Sequence, residues 1–403
     1  MPQIKPEIES FARIKVVGVG GSGKNAVNHM VKSKVRGVEF LAVNTDAQDL
    51  HQSLAHKKIR IGKGLTKGLG TGMNPELGRQ AAEETRDEIL EALKGADMVF
   101  ITCGMGGGTG TGGAPVVAQA AKSQGALTIG VVTRPFAFEG AERARLAEAG
   151  LSRLREAVDA LIIIPNDKLL SVVTKDTSFL SAFSMCDEVL RHAVEGISDL
   201  ITMPGVINVD FADVKSIMQN AGSALMGIGH AEGESRAEEA AKTAISSPLL
   251  DVSINGAKGV LFAIAGGADM TMWEIQNAAK VITESIDPDA KVIFGAIQDD
   301  RLKKGQLKIT VIASGFPDGS TGKIPNLFGG FSPKTGANIA RTVDAKADLK
   351  NAIEQSTNGA NHTNGGGLGS IFSGASSFSK KENPNPEDSE WDSIPAFIRR
   401  QKK

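Results

Sequence analysis

Short apolar runs alternate with amphipathic stretches through the first half of the chain. Residues 13–19 (RIKVVGV) are a β-branched run ending in glycines and read as a buried strand, with residues 25–34 following as a helix. Residues 38–43 (VEFLAV), 97–103 (DMVFITC), 127–133 (LTIGVVT) and 160–164 read as further strands, and residues 116–122, after Pro115, as a helix. Strands of this kind, alternating with helices and followed by polar loops, predict a parallel sheet covered on both faces. Ligands of such sheets sit at the carboxyl ends of the strands, and every glycine-rich loop here falls there.

A single long helix is predicted over residues 180–203, stopped by Pro204 and Gly205. Beyond it residues 258–265, 290–296 and 306–313 read as strands and 272–285 as a helix, without a further glycine-rich loop. This second unit is expected to serve packing or assembly. From Pro317 apolar character fades, and residues 358–381, rich in Gly, Ser and Asn, cannot bury enough surface to offset chain entropy. It returns in the last residues, where Ile394, Phe397 and Ile398 fall at helical spacing beside Trp391, with Pro395 allowed near a helix start.

Composition narrows the classes. The 403 residues exceed one ordinary domain, and 41% apolar with 23% charged residues suits a soluble globular protein. A net charge of −1 gives no basis for a nucleic-acid surface built on overall charge. Cys103 and Cys186 form no metal-type spacing and read as small buried residues in a reducing, cytoplasmic setting. The first residues resemble no signal peptide, and no run reaches the roughly 18 to 20 apolar residues of a membrane span, so a membrane role is expected only through a partner.

The candidate chemistry lies in three loops. Gly18, Gly20 and Gly23 satisfy the dinucleotide pattern G-x-G-x-x-G, while Gly18 through Lys24 satisfy G-x-x-x-x-G-K. Asn25 stands where a P-loop needs a magnesium-binding hydroxyl, which weakens that reading. This loop alone says only that phosphate approaches backbone N–H groups at a helix start. A second cluster, Gly104 to Gly113 (GMGGGTGTGG), follows another strand and can wrap an anion closely. A third loop, Gly68 to Pro75, precedes a helix near Glu76. Three such loops suit a nucleotide polyphosphate better than the bridge of a dinucleotide.

The segment GGGTGTG at Gly106 to Gly112 resembles the signature of the tubulin/FtsZ family of GTPases. GVGGSGKNAV from Gly18, Asn44-Thr45-Asp46, Thr133 to Gly140 (TRPFAFEG) and Asn208 to Asp213 (NVDFAD) match the bacterial FtsZ pattern in order and spacing. The resemblance runs from about Ala12 to Gly315 and resumes at the C-terminal peptide. Thr71 and Met73 stand where many members carry alanine, and Arg134 where many carry lysine. These departures leave GTP in place and bear on how firmly the third loop senses the γ-phosphate.

The resemblance implies a Rossmann-like α/β GTPase domain over residues 12–178 after an extension at 1–11, a connecting helix at 179–204 and a smaller α+β domain at 205–316. A disordered linker at 317–389 and a docking peptide at 390–403 complete it. It implies that Gly20, Gly21, Ser22, Gly23, Lys24 and Asn25, with Gly106, Gly107, Gly108, Thr109 and Gly110, surround the phosphates of GTP or GDP. Asn44 joins that nucleotide set, Gly72, Met73 and Asn74 lie beside the γ-phosphate, and Mg2+ comes with the nucleotide and not from a protein metal cage. Glu139 and Arg143 read from their spacing as an ordinary i,i+4 ion pair; the resemblance makes both nucleotide contacts. Asn166, Phe183 and Asp187 are likewise implied at the guanine, although Phe183 alone reads as plain core. An Asp accepting from guanine N1–H and N2–H2 would exclude adenine.

Asp210 and Asp213 read locally as N-cap and N3 residues of a helix. The resemblance adds that Asn208, Asp210 and Asp213 complete the active site of the next subunit in a head-to-tail homopolymer forming the mid-cell division ring. Ile394, Pro395, Phe397, Ile398 and Arg399 resemble the family's docking segment for membrane-tethering division proteins. Two rivals remain. A nicotinamide oxidoreductase leaves the second glycine cluster without a role, and a non-hydrolysing GTP-binding scaffold leaves Asp210 and Asp213 without one.

Overall fold

The computed structural model describes residues 12–170, 178–203, 205–247, 250, 254, 256–299 and 301–316. The expected extension at 1–11, the linker and the docking peptide with Ile394, Pro395, Phe397, Ile398 and Arg399 lie outside the described residues. The chain runs β1 (Ile14–Val19), α1 (Gly20–Lys32), β2 (Val38–Asn44), α2 (Ala47–His51), β3 (Lys57–Arg60), α3 (Lys63–Thr66), α4 (Pro75–Glu84), α5 (Arg86–Leu93) and β4 (Met98–Gly104). It continues through α6 (Thr109–Ser123), β5 (Leu127–Arg134), α7 (Ala141–Ala157), β6 (Ala160–Pro165), α8 (Asn166–Leu170) and the long α9 (Phe179–Thr202). The second half holds β7 (Gly205–Ile207), α10 (Phe211–Met218), β8 (Gly222–Glu232), α11 (Arg236–Ile245), β9 (Gly259–Gly266), α12 (Met272–Thr283), β10 (Lys291–Gln298) and β11 (Gln306–Ser314).

Among the described residues eleven strands pair in the order β3-β2-β1-β4-β5-β6-β8-β11-β9-β10-β7. From β3 to β6 every pairing is parallel. The β-branched runs are buried on both faces, as in β1 with Val16, Val17 and Val19, because helices cover both sides. One core joins α1, α9 and α10 on one face and another packs α4 to α7 on the other. A short parallel pairing of β6 with β8 leads into a mixed sheet, with β8, β11 and β9 antiparallel and β9 parallel to β10. That second half has its own core around Phe262, Ile264, Ile282 and Val311. The expected fold class, a parallel-sheet domain followed by a smaller mixed one, is what the chain adopts.

Two helices start earlier than the sequence pattern suggests. α1 opens at Gly20, directly on the end of β1, and α6 opens at Thr109 with Pro115 inside it. Glycine disfavours helix interiors, so a run such as GTGTGG reads as loop. Close packing overrides that preference: a Cβ on Gly112 would stand 1.8 Å from Pro75 O, and one on Gly150 would stand 2.3 Å from Thr111 Cγ2. The helix α7, the strand β8 and the helix α11 are additions that the sequence pattern did not single out. No helix among the described residues is long and apolar enough to cross a membrane.

Candidate nucleotide site

The carboxyl ends of β1, β2, β4, β5 and β6 open onto one cleft of about 750 Å³, within the range of small-molecule sites. At its floor β1 turns into α1 with no intervening residue. A Cβ on Gly18 would meet Gly23 O at 2.3 Å, and one on Gly23 would meet Thr102 O at 2.4 Å, so both positions are filled by backbone packing. Gly20, Gly21, Ser22 and Asn25 line the cleft. Gly23 and Lys24 do not. Lys24 is turned beneath the floor, where its Nζ lies 3.0 Å from Asp49 Oδ1 with both side chains out of solvent. The G-x-x-x-x-G-K pattern therefore puts no lysine side chain into this cleft.

β4 leads through the second glycine cluster into α6. Gly107, Gly108, Thr109 and Gly110 line the cleft. Gly106 stands behind them, its φ of 92° turning the chain where a Cβ would meet Arg143 O at 2.7 Å. Because β1 and β4 are adjacent and parallel, the N-termini of α1 and α6 converge, and neither has an acidic residue in its first turn. Two aligned helix N-termini with uncapped N–H groups form an anion site.

The third loop closes the same end. Gly70, Thr71, Gly72 and Met73 line the cleft, with Gly72 and Met73 at φ 58° and 64°. Asn74 instead caps α4, its Oδ1 accepting from Glu76 N at 3.0 Å and Leu77 N at 3.3 Å. Asn44 and Asp46 complete this wall. Asn44 Nδ2 donates to Asp49 Oδ2 at 2.8 Å, and Asp46 caps α2.

The opposite wall is built by one face of α9, where Phe183, Cys186, Asp187 and Leu190 recur at helical spacing. Phe183 meets Phe136 edge to face at 5.2 Å, and Phe136 stacks on Phe138 at 5.0 Å. Burial pushes the Asp187 carboxyl up to about 7, with the charges of His29 and Lys24 pulling the other way. Glu139 and Arg143 pair at 2.9 Å with side chains 8% and 11% exposed, so this is no ordinary surface pair. Glu139 Oε1 also accepts from Phe136 N at 3.0 Å.

Two lining side chains point most directly to a ligand. Asn25 and Asn166 are each 5% exposed, and neither amide atom of Asn25 nor Oδ1 of Asn166 finds a partner within the protein. Buried polar groups are almost always satisfied, and both residues face the cleft.

Asn208, Asp210 and Asp213 are not among the cleft residues and are exposed. Asn208 Oδ1 accepts from Gly205 N at 2.7 Å, and Asp210 caps α10 by accepting from Ala212 N at 3.3 Å. Both cysteines are buried with thiol pKa values raised by burial, Cys103 to about 12. Cys186, Thr133, Pro135 and Leu190 also line the cleft, although the sequence assigns none of them to the nucleotide. Thr133 and Pro135 follow the same rule as the glycine loops, since they sit where a parallel strand ends.

Converging helix N-termini, glycine walls and an aromatic–carboxylate face have the chemistry that suits a nucleotide, at the carboxyl ends of the parallel strands where α/β sheets bind their ligands. The model of the tubulin/FtsZ family GTPase domain matches residues 13–174, and that of the FtsZ family C-terminal domain matches residues 222–317. An FtsZ from M. jannaschii, solved as an empty dimer, is 47% identical over 76% of this chain and 89% of that chain, with a TM-score of 0.73. A point mutant of FtsZ from the same organism matches at 47% identity, 76% and 92% coverage, and a TM-score of 0.73. CetZ2 from Haloferax volcanii, solved as a GTPgS-bound protofilament, shares the fold at 24% identity, with 76% and 94% coverage and a TM-score of 0.64. The chain belongs to the FtsZ family. It is accordingly a guanine-nucleotide-binding GTPase of the cell-division class.

Proposed function

We propose that the chain polymerises head to tail and hydrolyses GTP at the joint between subunits. The phosphates lie on the N-termini of α1 and α6, held by Gly20, Gly21, Ser22, Gly107, Gly108, Thr109 and Gly110, with the γ-phosphate beside Gly72 and Met73. Guanine stacks at Phe183, with Asn166 and ionised Asp187 on its polar edge. Asn25, Glu139 and Arg143 hold the remainder of the nucleotide. Among the described residues no group of three His, Cys, Asp or Glu stands together as a metal cage. Mg2+ enters this reading with the triphosphate, whose oxygen charge it neutralises during transfer.

The observation that carries the proposal is the exposure of Asn208, Asp210 and Asp213 away from the cleft. The carboxylates that do line it have other work: Asp46 caps α2, Glu139 pairs with Arg143, and Asp187 sits on the aromatic wall. Carboxylates from a neighbour would supply water activation, and a contact between unlike faces does not close on itself and grows a filament. Exposed apolar groups flank both faces, with Leu69 and Phe138 63% and 61% exposed beside the cleft and Val206 66% exposed two residues before Asn208. Assembly would bury them. Filaments of this kind would form the cytoplasmic ring at mid-cell, with residues 390–403 docking a membrane-tethering protein.

GTP turnover across protein concentrations, with light scattering in parallel, tests the reading. The rate per subunit should rise with concentration, and Asp213→Ala should bind GTP and assemble yet turn over roughly 100-fold more slowly, the low end of general acid–base effects. A concentration-independent rate, or normal turnover in Asp213→Ala, would overturn it. Removing residues 390–403 should spare GTPase activity and abolish capture of the membrane tether.

A further inference from the structure

The third loop meets the start of α6 through a row of hydroxyls. Thr71 Oγ1 lies 3.3 Å from Thr109 Oγ1, which lies 2.8 Å from Thr45 Oγ1. All three side chains are buried, and Thr71 and Thr109 face the cleft. The approach is close: a Cβ on Gly108 would stand 1.9 Å from Thr71 Oγ1 and 2.9 Å from Asn74 N. The loop has a reason to need a tether. Met73 is held at φ 64°, a left-handed conformation that favours glycine, directly after Gly72 at φ 58°.

We propose that the Thr71 hydroxyl, bonded to Thr109 Oγ1, holds the loop of residues 68–74 in its GTP-receiving geometry before any γ-phosphate arrives. Thr71 is then a positioning residue for the nucleotide. This rests on the reading above, in which that loop lies beside the γ-phosphate. A hydroxyl both donates and accepts, so Thr109 in the middle can accept from one neighbour and donate to the other, and the two bonds link the row without a ligand, each polarising the next. A triphosphate meets a loop already in place, and its apparent affinity is not reduced by the fraction of open loop. A diphosphate ends short of the loop and gains nothing from the tether.

The test uses the full chain below its assembly concentration. Hydrogen exchange of the amides at Gly72, Met73 and Asn74 is followed in the GDP-bound protein, and GTP and GDP affinities are measured by competition with a fluorescent guanine nucleotide. Thr71→Val, which keeps the shape and loses the hydroxyl, should speed exchange at those amides and weaken GTP by roughly threefold to tenfold, the range of one net hydrogen bond. GDP affinity should stay unchanged and doubles as the control for folding. Thr71→Ser should behave as the wild type. Unchanged exchange in Thr71→Val, equal weakening of GTP and GDP, or a Thr71→Ser protein that matches Thr71→Val would overturn the tether. A wild-type protein that binds neither nucleotide would instead overturn the reading of the cleft.

Discussion

Lys24 Nζ lies 3.0 Å from Asp49 Oδ1 under the floor of the cleft, and neither side chain reaches solvent. Asn44 Nδ2 donates to the other oxygen of the same carboxylate at 2.8 Å. The lysine of the first glycine loop thus holds α1 against α2, the segment behind β2, and does not enter the cleft. Removing one partner of a buried ion pair leaves the other charge stranded, at a cost of about 3–5 kcal/mol. Lys24→Met should lower the urea midpoint of the nucleotide-free protein accordingly, and Asp49→Asn added to it should recover part of the loss. A Lys24→Met protein of wild-type stability with greatly weakened GTP would assign the lysine to phosphate after all.

That pair also marks how far the sequence could be read. The parallel sheet and the three glycine loops were legible because buried β-branched runs and glycine placement are local signals. Asn44, Phe183 and Asp187 are placed at the nucleotide by the family resemblance and not by any local signal. What the local signals could not carry was direction: nothing in G-x-x-x-x-G-K states that Lys24 points down to Asp49. Nor does glycine composition reveal that Gly108 and Gly112 are helix-packing positions, because the atoms they accommodate, Thr71 Oγ1 and Pro75 O, come from a distant loop. Thr71 stands out in the sequence as a departure from the family pattern, but its hydrogen bond to Thr109 exists only in three dimensions.

Asp187 gives nucleotide binding a pH dependence with a defined sign. Burial raises its carboxyl from 3.8 to about 7 in the nucleotide-free protein. Guanine offers donors that favour the ionised form, so binding should release a proton near pH 7, and GTP affinity should fall as pH is lowered, approaching tenfold per unit well below 7. The free protein holds a proton that the unfolded chain has lost between about pH 4 and 7, so this group lowers its stability as pH rises through that window. Calorimetry in buffers of different ionisation enthalpy reads the released proton. Asp187→Asn should bind GTP more weakly and with a flat pH profile in this range; a steep profile in that variant would place the titrating group elsewhere.

Asp210 and Asp213 should separate when stability and turnover are compared. Asp210 caps α10 through Ala212 N, while Asp213 is exposed in the first turn of that helix. Losing an N-cap costs about 1 kcal/mol, and losing an exposed first-turn carboxylate costs a few tenths. Asp210→Asn keeps a capping oxygen and should retain stability while losing turnover, and Asp213→Ala should barely move the thermal midpoint while turnover collapses. Turnover that simply tracks the midpoint across these variants would reduce both residues to helix stabilisers.

The helix that carries Phe183 and Asp187 also carries Glu195, and this gives a mechanical prediction. Glu195 is 1% exposed and accepts from Arg191 on its own helix and from Arg301 beyond β10, with Lys308 Nζ of β11 at 3.5 Å. Burial alone would push its carboxyl up, but Lys308, Arg191 and Arg301 hold it below the usual range. It therefore adds stability above its unfolded value near 4.5 that is lost as pH falls below it. Glu195→Gln keeps the volume and leaves Lys308 buried without its carboxylate, which should cost about 3–5 kcal/mol. The loss falls on the link between α9 and the second half of the fold. In scanning calorimetry GTP should raise the unfolding of the whole wild-type protein as one event, whereas in Glu195→Gln the second half should unfold earlier and no longer respond to GTP. Asp299→Asn serves as the comparison, because Asp299 pairs with Arg301 only two residues away. A Glu195→Gln protein that still melts in one GTP-responsive transition would show that apolar packing of α9, through Val194 and Ile197, couples the halves without the ion cluster.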